Sequence, residues 1–79
     1  MLKNVSDREI RIRTAPTDEV RGAPFYWEVV GYYESAKQWF LEDYGWSETV
    51  DIAFNDAKIG LKRLNEKYPM LNYNPDNEI

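Results

Sequence analysis

The stretch Ser47–Tyr68, SETVDIAFNDAKIGLKRLNEKY, is the longest segment of the chain whose apolar spacing holds one register. Val50, Phe54, Ala57, Leu61, Leu64 and Tyr68 recur at intervals of four and three, which at about 100° per residue places them on one face of a helix. That face is the expected core stripe. Ser47 is placed to cap the helix, and Glu48 and Asp51 put negative charge at the positive end of its dipole. Arg63 and Lys67 occupy the last turns and Pro69 stops the helix. Ile52 and Ile59 fall on the opposite side, flanked by Asp56, Lys62 and Arg63. A helix apolar on two sides is either covered twice or binds something, so this pair is a candidate contact with a partner or a second copy.

Upstream, Gly45-Trp46 turns into this helix, and Ser35 is read as the cap of a shorter helix over Ala36–Tyr44, with Ala36, Trp39, Phe40 and Tyr44 inward and Gly45 ending it. Phe25–Tyr33 is a strand of aromatic and β-branched residues. Phe25, Trp27, Val29 and Tyr33 point one way, and Tyr26, Val30 and Tyr32 the other. Both faces are apolar, which implies either cover on both sides or cover by the chain's own helices on one side and a partner on the other. Gly31 in its middle suggests a bulge or a close backbone approach.

Thr14–Pro24, with Pro16, Gly22 and Pro24, has the composition of a loop. Before it, Ile10 and Ile12 alternate with Glu9, Arg11 and Arg13, the pattern of a strand with one wet face. A capping box at Ser6–Glu9, with Val5 and Ile10 at the staple positions, leaves a short helix as the alternative over residues 7–14. The two Ile residues would lie on opposite sides of such a helix, which favours the strand. The expected fold is a single α+β domain over residues 1–79. A two- or three-stranded antiparallel sheet precedes a short helix and a long C-terminal helix (β-β-α-α), and the tail 69–79 is partly irregular.

The 79 residues include no cysteine and no histidine, so neither a disulfide framework nor the usual zinc ligands are on hand. Twelve aromatic side chains are the evident source of core area in so small a domain. The net charge of −4 is uneven: residues 25–56 carry −6, with Lys37 as their one basic group, and also hold most of the aromatics. Such a block repels a phosphate backbone and suits a basic partner. No stretch of the sequence reads as a signal peptide or a membrane span, so the expected setting is cytoplasmic with no membrane partner, and the Asn4-Val5-Ser6 glycosylation pattern is fortuitous.

Catalysis by a nucleophile and a base near neutral pH lacks its usual residues. Tyr33 and Lys37 have the Y-x-x-x-K spacing of short-chain dehydrogenases, but the chain is too small for the dinucleotide fold that motif requires. Pairs such as Glu42/Asp43 and Glu48/Asp51 have no cleft behind them at this size. Asn72, Asn74, Asp76 and Glu78 imitate half a calcium loop but lack its glycine and closing glutamate, so no metal or cofactor is expected.

The expected function is a non-enzymatic protein-interaction module, an inhibitor or adaptor of phage type, presenting acidic and aromatic groups to a basic partner, in the manner of a nucleic-acid mimic. The candidate binding residues are Glu28, Glu34, Trp39, Glu42, Asp43, Trp46, Ile52, Asp56 and Ile59, with a homodimer through the long helix as one use of the last group. The alternative is a small nucleic-acid-binding domain using Arg8, Arg11, Arg13 and Arg21, in which the neighbouring rings stack on bases. Glu9, Asp18 and Glu19 dilute those arginines, so nucleic acid is the less favoured partner.

Overall fold

The computed structural model describes residues 5–15 and 22–70. Within them the chain forms three strands, β1 (Val5–Thr14), β2 (Phe25–Tyr33) and β3 (Gln38–Ser47), followed by a single helix, α1 (Val50–Lys67). The strands make an antiparallel meander in the order β1-β2-β3, with α1 packed across one face. The α+β class and the antiparallel sheet are as expected, and residues 7–14 are strand.

The second helix is a correction. Residues 36 and 37 lie in the turn between β2 and β3, and the rest of the Ala36–Tyr44 segment is strand. The turn Glu34–Lys37 closes with Lys37 N–H donating to Tyr33 O at 2.7 Å, and Lys37 takes a left-handed φ of 53°. A β-bulge conceals the strand in the sequence. Leu41 pairs with Val30 and Asp43 with Val29, so Glu42 is an extra residue and the alternation of Trp39 and Leu41 changes phase to Tyr44 and Trp46. A strand whose period-2 pattern shifts midway imitates helical spacing. A second bulge lies in β1 between Val5 and Asp7.

The covered face of the sheet carries Ile10 and Ile12 opposite Val29 and Trp27. Trp27, Val29, Ala53 and Ala57 are buried at its centre, with Phe25, Leu61 and Leu64 packed around them. The helix therefore presents Ala53, Ala57, Gly60 and Asn65 most deeply, while Val50, Phe54 and Tyr68 of the expected stripe are exposed. Bulk explains the rotation. The indole of Trp27 fills the space between the layers, so the helix approaches with its smallest side chains inward. The indole also rests on Gly45 of β3, where an added Cβ would lie 2.7 Å from three of its ring atoms. The helix cap is Thr49, not Ser47: its Oγ1 accepts from Ile52 N–H at 3.2 Å. At the other end Tyr68 N–H donates to Leu64 O at 2.7 Å, ahead of Pro69.

Candidate functional site

Because β2 alternates strictly, every second residue of it points away from α1, and register brings matching residues of β1 and β3 beside them. Tyr26, Glu28, Val30 and Tyr32 of β2 thus share a face with Arg11 and Arg13 of β1 and with Trp39, Leu41, Tyr44 and Trp46 of β3. No helix lies over this face among the described residues.

The face is held together by its own side chains. Tyr26 and Trp46, cross-strand neighbours, have ring centroids 5.4 Å apart, and Tyr44 meets Trp46 edge to face at 5.5 Å. Tyr32 and Trp39 pair at 5.3 Å. Both arginines lie over rings: Arg13 Cζ is 4.4 Å from the Tyr26 centroid, and Arg11 Cζ is 5.2 Å from that of Trp39. Arg11 also donates Nε–H to Glu9 Oε2 at 2.7 Å. Reaching from an outer strand to Trp39 on the far strand, the Arg11 side chain crosses β2, where Val30 is only 4% exposed without a helix above it. Such stems cover apolar surface while the charged head stays wet.

The covered face holds a second polar assembly at the end of the sheet near the C-terminus of α1. Arg8, with a fully buried side chain, donates Nε–H to Glu42 Oε1 at 2.6 Å, and the Glu42 side chain is itself 11% exposed. Arg8 Nη1 donates to Asn65 Oδ1 at 2.6 Å and to Tyr68 O at 2.7 Å, while the Tyr33 hydroxyl donates to Glu42 Oε2 at 2.5 Å. Burial, and then this hydrogen bond, raises the Tyr33 pKa above the usual phenol value. Gly31 makes the room, since a Cβ there would collide with Glu42 Oε1. Arg8 Nη2 and Trp46 Nε1 are buried without a hydrogen-bond partner, and nothing in the structure explains either.

The proposed binding residues are therefore divided among several places. Glu28, Trp39 and Trp46 share the open face. Glu34 is exposed in the β2–β3 turn. Glu42 is engaged by Arg8, and Asp43 stands on the helix side, where an added Cβ on Gly60 would lie 2.5 Å from its Oδ2. Asp56 accepts from Ser47 Oγ at 3.1 Å. Ile52 and Ile59 are exposed, at 45% and 51%. Of the arginines offered for nucleic acid, Arg8 is buried, Arg11 and Arg13 are stacked on rings, and Arg21 lies outside the described residues. Tyr33 and Lys37 occupy a strand end and a turn, and the half calcium loop at residues 72–78 lies outside the described residues.

Sequence reasoning missed Leu41 and Tyr44, because the bulge at Glu42 hides their side of the strand. It also missed the arginines as partners of the rings; the signal was the alternation of β1, which puts Arg11 and Arg13 on the same side as Tyr26 once the register is known. Among the described residues no helix is long and apolar enough to cross a membrane, and no group of three or more acidic, cysteine or histidine side chains is placed to hold a metal. Compared with protein-family models, curated proteins and solved structures, the chain matches none of them.

Proposed function

We propose that this chain is a non-enzymatic protein-interaction module, an inhibitor or adaptor acting in the cytoplasm, and that its partner docks on the open face of the sheet. One observation carries the reading: a sheet face not covered by the helix collects Tyr32, Trp39, Tyr44 and Trp46 around a buried Tyr26, with Arg11 laid over Trp39 and Arg13 over Tyr26. Trp, Tyr and Arg dominate binding energy at protein interfaces: the rings offer large contact areas with few rotatable bonds, and arginine adds a planar fork of donors that stacks on rings. The rings are already braced against one another, which lowers the ordering cost of binding. The phage-type and nucleic-acid-mimic forms of the reading rest on charge composition. The carboxylates of residues 25–56 that carry this composition are spread over both faces of the sheet and the turns.

Capture from host extract tests this with three baits. The parent protein is expected to retain a protein partner that a Trp39→Ser, Tyr44→Ser variant loses and an Ile52→Asp, Ile59→Asp variant keeps. The reverse pattern would move the interface to α1. Capture abolished by nuclease would favour the nucleic-acid alternative. A second reading has its own observation: the exposure of Ile52 and Ile59 supports a homodimer through α1. Light scattering decides it, since the Ile52→Asp, Ile59→Asp variant would then halve the mass of the parent species.

A further inference from the structure

Glu28 stands on the central strand of the open face, directly between Arg11 of β1 and Tyr44 of β3 in the register. It is half-buried, yet the two ion pairs among the described residues are Arg8–Glu42 and Arg11–Glu9, and Glu28 belongs to neither. The nearest cation in register has turned elsewhere: Arg11 gives its Nε–H to Glu9 and its guanidinium plane to Trp39. Arg13 lies over Tyr26. A partly desolvated carboxylate beside an exposed phenol ring favours a cation twice over, through charge and through the ring quadrupole.

We infer that the open face receives a cationic side chain of a partner protein, an arginine foremost, seated between the Glu28 carboxylate and the Tyr44 ring. This rests on the docking face proposed above and names its occupant. Charge complementarity supports it locally, since Arg11 is paired with Glu9, Arg13 lies over Tyr26, and the central strand is left with an unpaired carboxylate at Glu28. Arginine fits better than lysine because its planar guanidinium can stack on a ring and present parallel N–H donors to one carboxylate at the same time. The protein already lays arginines on rings twice, Arg13 over Tyr26 and Arg11 over Trp39, and Arg11 also donates to the Glu9 carboxylate. A phosphate backbone would meet the Glu28 carboxylate with like charge, which disfavours a nucleic acid at the same spot.

The test is a titration of the isotope-labelled full chain, followed by amide chemical shifts, with a short peptide alternating glycine and arginine. Parallel arms use the glycine–lysine peptide, oligothymidylate, and dilution of the protein alone. The expected result is a shift of the Glu28 and Tyr44 amides with the arginine peptide and a weaker one with lysine. Glu28→Gln, whose spectrum must otherwise match the parent, should weaken the arginine peptide by roughly fivefold or more. If Tyr44→Ala weakens binding while Glu28→Gln does not, the face docks a partner without a cation seat, and the inference fails while the docking face stands. Shifts of the same amides by oligothymidylate alone would make the occupant nucleic acid. Their dependence on protein dilution alone would make it a second copy. Shifts confined to the Asp51 and Glu66 amides would reduce the effect to general attraction, and an open face unmoved by every probe would equally overturn the inference.

Discussion

Beneath α1, Trp27 rests on Gly45 and the Arg8–Glu42 pair is enclosed by Asn65, Tyr33 and the Tyr68 carbonyl; on the open face, rings lean on rings and arginines lie across them in water. One face gains its order from cover by a second layer. The other gains it from side-chain pairs on its own surface, of which the cross-strand ones are each worth a fraction of a kcal/mol to about 1 kcal/mol. The comparison teaches that similar aromatic content does two jobs. Rings under a helix hold the fold, and rings with no helix above them, Tyr44 most of all, are left with surface to offer. The charges sort in the same way, since the Glu42 carboxylate is committed inside and the Glu28 carboxylate is not.

Substitutions can break this contrast, beginning with the covered face. Glu42→Ala leaves the Arg8 guanidinium buried without its counter-ion and should cost about 3–5 kcal/mol, read by urea denaturation. A double Arg8→Met, Glu42→Leu variant should recover most of that loss; failure to recover would mean the site needs the pair for its shape. Gly45→Ala should cost about 1–3 kcal/mol, because the Trp27 indole has to move. A melting temperature equal to that of the parent would place the indole elsewhere.

On the open face, Trp39→Ala should cost only about 1–2 kcal/mol, through the lost Tyr32 and Arg11 contacts, and should make the Val30 amide exchange faster with solvent. A loss as large as that of Glu42→Ala would erase the distinction between the faces. On the outer part of α1, Phe54→Ala should cost about 1 kcal/mol or less, since the ring is 47% exposed and touched by Lys58, whereas Leu61→Ala should cost at least about 2 kcal/mol. Equal losses would restore the stripe expected from spacing. The smallest effect is a gain: Lys37→Gly relieves a left-handed backbone and should raise stability by about 0.5 kcal/mol.

Local signals were sufficient for the long helix and for β2. Its C-terminal stop at Pro69 and the two-sided character of Phe25–Tyr33 both follow from spacing and side-chain chemistry within one element. Those properties depend on neighbours in the chain, and neighbours in the chain are what a sequence displays. What needed the tertiary structure was every decision made between elements. Trp27 fills the interlayer space, so the helix turned Ala53 and Ala57 inward and Phe54 outward. The bulge at Glu42 shifts the alternation of β3 by one residue, so a strand read as a helix, and that same extra residue lets Glu42 reach Arg8, thirty-four positions away in the chain. Cross-strand register put Arg11 beside Glu28 yet left the two unpaired, because Glu9 and the Trp39 ring are better placed for the guanidinium, and competition among partners distant in sequence is settled only where the chain has folded.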